Sequence, residues 1–201
     1  KIYVKEKYFS LENRSAKVVV CGGSACFSHQ IFDCPISDYS IMDHLAKEGF
    51  RVFAYDYRGY GSSYHPLDGR SVTFEVQLKD TEALVDFVLA ETKAKSVSML
   101  GIGIGTELVV GHAVRHPDQV DVLVLVDFVW KVLVTPLPLE IKEMLLRQPK
   151  GYYKLSSLGG FLVWLSRATD PEILPWFEST FAEVEIPVGP LVTLAGPWPL
   201  V

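Results

Sequence analysis

The stretch Lys95-Ser96-Val97-Ser98-Met99-Leu100-Gly101-Ile102-Gly103-Ile104-Gly105 decides how this chain is read. A short apolar run leads into glycines at alternate positions, and the segment beyond them keeps helical character up to His116, before Pro117. The pattern is strand, tight turn, helix. Only glycine takes the sharp backbone angles of such a turn cheaply, and alternating glycines leave little room for side chains around it. A turn of this kind holds its middle residue up at the end of a strand. Here that residue is Gly103.

The same alternation extends in both directions. Lys17 to Cys21, Arg51 to Tyr55 and Val120 to Val126 are continuous apolar strands, and Ile2 to Phe9 suits a leading strand. Asp38 to Lys47 puts Tyr39, Met42, Leu45 and Ala46 on one helical face, with Gly49 as its stop. Thr73 caps a helix whose Phe74, Leu78, Thr81, Val85 and Val88 form one stripe. Strands of unbroken apolar character, separated by helices, imply an α/β architecture with a mostly parallel central sheet and helices on both faces. From Phe128 onward prolines divide the chain into amphipathic pieces, Leu139 to Arg147, Leu155 to Leu165 and Glu172 to Phe181, which are expected to form a helical lid. Ile186 to Ala195 returns to strand character. The expected division is a core of residues 1–127 and 186–201 with a lid at 128–185.

Composition narrows the function classes. A chain of 201 residues fits one domain with a sizeable core. Its net charge of −5, without a Lys/Arg stripe to neutralise phosphates, argues against nucleic acid as a partner. The longest apolar runs, Val122 to Val126 and Phe161 to Leu165, fall far short of the roughly 18 residues of a membrane span. Cys21, Cys26 and Cys34 are odd in number and form no C-x-x-C pair, so neither a disulfide framework nor a zinc site is expected. No metal or cofactor is called for, and the cytoplasm is the default compartment.

Four segments, taken together, resemble the α/β-hydrolases. Cys21-Gly22-Gly23 stands where that family carries His-Gly-x, and Asp56-Tyr57-Arg58-Gly59-Tyr60-Gly61-Ser62 resembles its D-x-R-G-x-G-x-S loop. Gly101 to Gly105 stands at its G-x-S-x-G nucleophile elbow. Arg115-His116-Pro117-Asp118-Gln119-Val120, with the apolar run to Asp127, is similar to its entry into the sixth strand. The resemblance covers Ala16 to Asp127, inserts the lid after the sixth strand, and makes Leu191 to Gly196 the seventh strand. It implies a serine, a histidine and an acid, with backbone N–H groups stabilising an oxyanion.

The chain departs from that pattern at every member. Gly103 has no side chain with which to attack, and neither Asp nor Cys replaces it. The acid expected after the seventh strand is absent from Gly196-Pro197-Trp198-Pro199-Leu200-Val201, and the segment that should carry the histidine lies beyond the last residue, so a C-terminal truncation is expected. Asp127 is a candidate acid set against the preferred reading as a strand-end cap. His29 and His65 are read as solvated loop residues, His112 and His116 as packing or helix-end groups, and His44 as surface. Cys21 is read as an inert thiol filling buried space.

Binding geometry survives this subtraction. The N–H groups of Ile104 and of Gly23 or Ser24, beside Gly22 and Gly103, are expected to form an oxyanion-like nest for a small carbonyl- or carboxylate-containing ligand. The N-myc downstream-regulated branch is similar in having glycine at the elbow. The expected function is that of a pseudo-hydrolase binding a small molecule or a protein partner, a second copy included. The alternative is an active hydrolase of ester or related acyl substrates, in a full-length form or one with serine at position 103. A minor alternative treats Gly101-x-Gly103 as a dinucleotide fingerprint with Asp127 on a ribose, but Thr106 replaces its third glycine.

Overall fold

The apolar runs pair with one another as buried parallel strands must. The computed structural model describes residues 1–10, 17–23, 27–128, 138–155, 170–181 and 184–193. Strands β1 (Tyr3–Lys7), β2 (Val18–Gly22), β3 (Arg51–Asp56), β4 (Val97–Ile102) and β5 (Val120–Val126) form one sheet in the order β1-β3-β2-β4-β5. β1 runs antiparallel to β3, with Tyr3 opposite Asp56, and every other pairing is parallel. Parallel neighbours cannot be joined by hairpins, so the chain crosses over through α1 (Ile41–Lys47), α2 (Phe74–Thr92) and α3 (Ile104–Arg115).

Alternation along the strands divides the core in two. Val19, Cys21, Val52 and Ala54 pack with Phe32 and with Met42 of α1 on one face. Val18, Val20, Phe53, Tyr55, Val97 and Met99 pack on the other with Leu78, Val85 and Val88 of α2 and Leu108 and Val109 of α3. The helix starts follow the sequence signals. Ser40 accepts a hydrogen bond from the Asp43 N–H, and Thr73 accepts one from the Val76 N–H. Among the described residues no helix is long and apolar enough to cross a membrane.

Two expectations are corrected. β5 reads as a strand covered on both faces, yet Val122 is 51% exposed, Val124 47% and Val126 45%. Among the described residues it lies at the edge of the sheet, paired only with β4, while the core under α1 is built on β2 and β3. The strand expected over Ile186 to Ala195 ends at Pro187, because β7 (Val184–Pro187) pairs antiparallel with β6 (Tyr152–Leu155) in a separate two-stranded sheet. Val188–Thr193 is helical, so Leu191 to Thr193 do not extend the main sheet, and 194–196 lie outside the described residues. Close docking explains the helix: a Cβ at Gly189 would run into the Val72 carbonyl oxygen, and the Thr193 Oγ1 accepts from the Phe74 N–H at 2.9 Å.

Of the expected lid pieces, α4 (Leu139–Leu146) and α5 (Leu174–Phe181) are present, α6 being Val188–Thr193, and residues 156–169 lie outside the described residues. Arg70 fastens α4 to the core by donating from Nε and Nη2 to the Leu146 carbonyl, at 3.0 and 2.8 Å, and from Nη2 to the Gln148 carbonyl at 2.7 Å.

At the opposite edge β1 is fastened electrostatically. Lys5 and Lys7 both reach the carboxylate of Asp33, which also accepts from Ser40 Oγ at 2.8 Å. Burial alone would raise Asp33, but these three donors outweigh it and hold the carboxyl down to about 2.

Two predictions follow from this arrangement. Met99, fully buried in β4, is expected to cost about 2–5 kcal/mol when cut to alanine, whereas Val124→Ala on β5 should cost less than about 1 kcal/mol. Urea unfolding of both variants checks this, and a reversed order would refute the core assignment. Because Asp33 is depressed in the fold, its contribution is present above its ordinary value of 3.8 and is lost as pH falls toward about 2. Asp33→Asn should therefore lower the melting temperature at pH 7 far more than at pH 2, and equal losses at both would refute the clamp.

Candidate active site

The site is built on the turn between β4 and α3. Gly103 is the N-cap of α3 with φ 55° and ψ −125°, a conformation in which a side chain is strained and glycine is not. Its N–H donates to the Val126 carbonyl at 3.0 Å, and its own carbonyl accepts from the Thr106 N–H at 3.0 Å and from Thr106 Oγ1 at 2.5 Å. Gly105 is held against the end of β2, where a Cβ would run into the carbonyl oxygens of both Gly22 and Gly23. The structure thus brings Gly22, Gly23, Gly103 and Ile104 together, while Ser24 lies outside the described residues. The Ile104 N–H opens α3, among the first-turn donors that have no acceptor within the helix, and the positive end of the helix dipole lies there.

The other sequence candidates are dispersed. Asp127 ends β5 exposed with φ 57°, and among the described residues its carboxylate forms no hydrogen bond or ion pair. His44 is exposed with Nε2 at 2.7 Å from the Asp38 carbonyl oxygen. His112 is fully buried, its value lowered by burial, and stacks on His116 with ring centroids 5.0 Å apart. Cys21 is buried at the end of β2, and burial pushes its thiol up to about 12, which leaves it inert.

His29 departs from its expected place in solvent. It is buried, with Nδ1 2.9 Å from Asp56 Oδ1, and its backbone N–H donates to the same oxygen at 2.6 Å. Asp56 has no exposed side-chain surface and accepts a further bond from the Ser62 N–H at 2.8 Å. The usable signal was the Asp at the head of the Asp56 to Ser62 loop: a carboxylate buried at a strand end must find donors. His65 is exposed as expected, with Nδ1 2.8 Å from the Ser63 carbonyl oxygen. It lines a cavity of about 260 Å³ between the ends of β2 and β3, at Ser28, Tyr60 and Gly61, and the segment carrying Thr180, Val184 and Glu185.

A second residue missed in the sequence is Glu107, in the first turn of α3 and only 5% exposed. Burial raises its carboxyl from 4.5 to about 7, and Oε1 has no hydrogen-bond partner. A charge in a first helical turn ordinarily reads as a solvated complement to the dipole, so the burial of Glu107 has no signal in the residue pattern. Among the described residues no cluster of three or more His, Cys, Asp or Glu is arranged to hold a metal.

Comparison with known proteins places this geometry. No curated protein sequence matches the chain. A hydrolase from Pseudomonas aeruginosa superposes with a TM-score of 0.67 at 18% identity, over 96% of this chain and 67% of that one. An esterase from Exiguobacterium antarcticum gives 0.64 at 18% identity, over 97% and 69%. A mutant epoxide hydrolase from Vigna radiata gives 0.50 at 22% identity, over 62% and 34%, so the chain spans about a third of its length. At these identities the likeness shows the fold alone, that of the α/β-hydrolases. The serine aminopeptidase S33 profile matches residues 36–147, which run from α1 through the elbow to α4 and make up more than half of the chain. With its elbow, its D-x-R-G loop and its parallel sheet, the chain belongs to the serine aminopeptidase S33 family of α/β-hydrolases.

Proposed function

We propose that this chain is a member of its family that binds a ligand at the elbow and does not hydrolyse it. The observation that supports this reading is Gly103 itself, in the elbow conformation at the N-cap of α3 with no atom available for nucleophilic attack. Acyl transfer by this fold requires a nucleophile and a base in hydrogen-bond reach of each other. Among the described residues the only buried His–Asp pair is His29–Asp56, which is built on the loops after β2 and β3 and not on the elbow.

The stabilising half of the machinery persists without the attacking half. The Ile104 N–H and that of Gly23 offer donors to a carbonyl or carboxylate oxygen at a helix N-terminus. A separate cavity, lined by Ser28, Tyr60, Gly61 and His65 of the loops after β2 and β3 and by Thr180, Val184 and Glu185, is not lined by any of these elbow residues. The second reading is an active ester or acyl hydrolase in a form with serine at position 103. It is favoured by the hydrolase and the esterase that the fold resembles.

The two readings separate by covalent labelling. The chain is expected to show no fluorophosphonate adduct by intact mass and no turnover of p-nitrophenyl acetate above the solvent rate. Gly103→Ser alone is expected to remain without efficient turnover, since among the described residues no base is placed to deprotonate the new hydroxyl. Labelling of the unaltered chain would overturn the binding reading, and rapid ester turnover by the variant would show that a base is already in place.

A further inference from the structure

Glu107 is a carboxyl that the fold buries and leaves with an unmade hydrogen bond. Such a group is costly, and a fold that retains one calls for a partner, which an ordered water or a bound ligand can supply. Its position says where that completion occurs. α3 spans twelve residues, and Glu107 lies four residues beyond Gly103. Side chains four apart share a helix flank and lean toward the helix N-terminus. By that helix geometry Glu107 is set on the flank of the elbow glycine, one turn into α3 and directed toward its first turn.

We propose that Glu107 is a ligand-binding residue whose carboxyl group hydrogen-bonds to a small carboxylate held above Gly103, with the Ile104 N–H supplying the second hydrogen bond. This rests on the binding reading given above and specifies its ligand as an anion taken up together with a proton. A carboxylate presents two acceptor oxygens, one for each donor, and the helix N-terminus favours its charge. A neutral acid beside it adds a donor without adding a repelling charge, the arrangement by which a buried acid can serve an oxyanion.

Among the described residues no neighbouring group competes for this role. The acids of α2 that face α3 are engaged at its far end: Glu75 and Glu82 with Arg115, Glu82 also near His116, and Asp86 with Gln119. His112 is held neutral by burial, as are Cys21 and Tyr57 on the sheet side. β4 carries no ionisable side chain, and Asp121 and Asp127 at the two ends of β5 are exposed. Burial alone raises Glu107, so its proton is the one expected to follow occupancy.

The sign follows directly. Glu107 is protonated below about 7 and charged above it, so carboxylate binding should be strongest in the acid range and weaken by about tenfold per pH unit from pH 7 to 9. The probe is butyrate, titrated calorimetrically in two buffers of different ionisation enthalpy, with folding of each variant checked by circular dichroism. Wild type should take up about one proton per butyrate at pH 8. Glu107→Gln, whose amide still donates, should bind with an affinity independent of pH and no proton uptake, and Glu107→Leu should bind at least about tenfold more weakly at pH 6. Wild-type affinity that is flat from pH 6 to 9, or a pH dependence retained in Glu107→Gln, overturns the role of Glu107 while the binding reading stands. Absence of butyrate binding by every protein at pH 6 overturns both.

Discussion

The structure depends on one close approach of backbone to backbone. Gly105 lies so near the carbonyl oxygens of Gly22 and Gly23 that no side chain fits between the elbow and the end of β2. That contact sets the height of α3 over the sheet and aims its first N–H groups at the strand ends. It also fixes which residues can meet there. The Gly103 N–H is drawn to the Val126 carbonyl and its carbonyl to Thr106, so the turn is held from the β5 side as well. A site built in this way does not require a side chain at its apex to keep its shape, which is why an elbow with glycine at position 103 is structurally self-sufficient.

Much of the fold was legible in the sequence because its signals are local. The caps Ser40 and Thr73, the apolar runs of β2, β3 and β4, and the elbow glycines each carry their meaning within a few residues. β5 was legible as a strand but not as an exposed edge, since a run of valines and leucines is the same string whether or not a neighbour covers it. Val188–Thr193 was misread for a related reason. Its valines favour strand, but docking against the turn before α2 outweighed the propensity.

The site was legible as glycines and opaque as acids and bases. Gly22, Gly23, Gly103 and Ile104 were all named from the motif, and the contact that joins the two segments is made by Gly105 against the carbonyls of Gly22 and Gly23. Asp56 with His29, and Glu107, were not, because burial is not written in the identity of a polar residue. The His29–Asp56 pair joins positions 27 residues apart, through the four-residue turn His29–Phe32 and the end of β3. Glu107 stands in a first helical turn, where the default expectation is water.

The bond from the Phe74 N–H to Thr193 joins residues 119 positions apart, and it closes the start of the longest helix in the chain. The five strands and three crossing helices can assemble from neighbouring βαβ units, with loops of modest length. The start of α2 cannot be completed until the chain has returned from its far end to supply α6 and the β6–β7 pair. The order of synthesis thus imposes an order of maturation: a nascent chain released at β5 holds a sheet and an elbow, but the residues Thr180, Val184 and Glu185 that line the cavity arrive later.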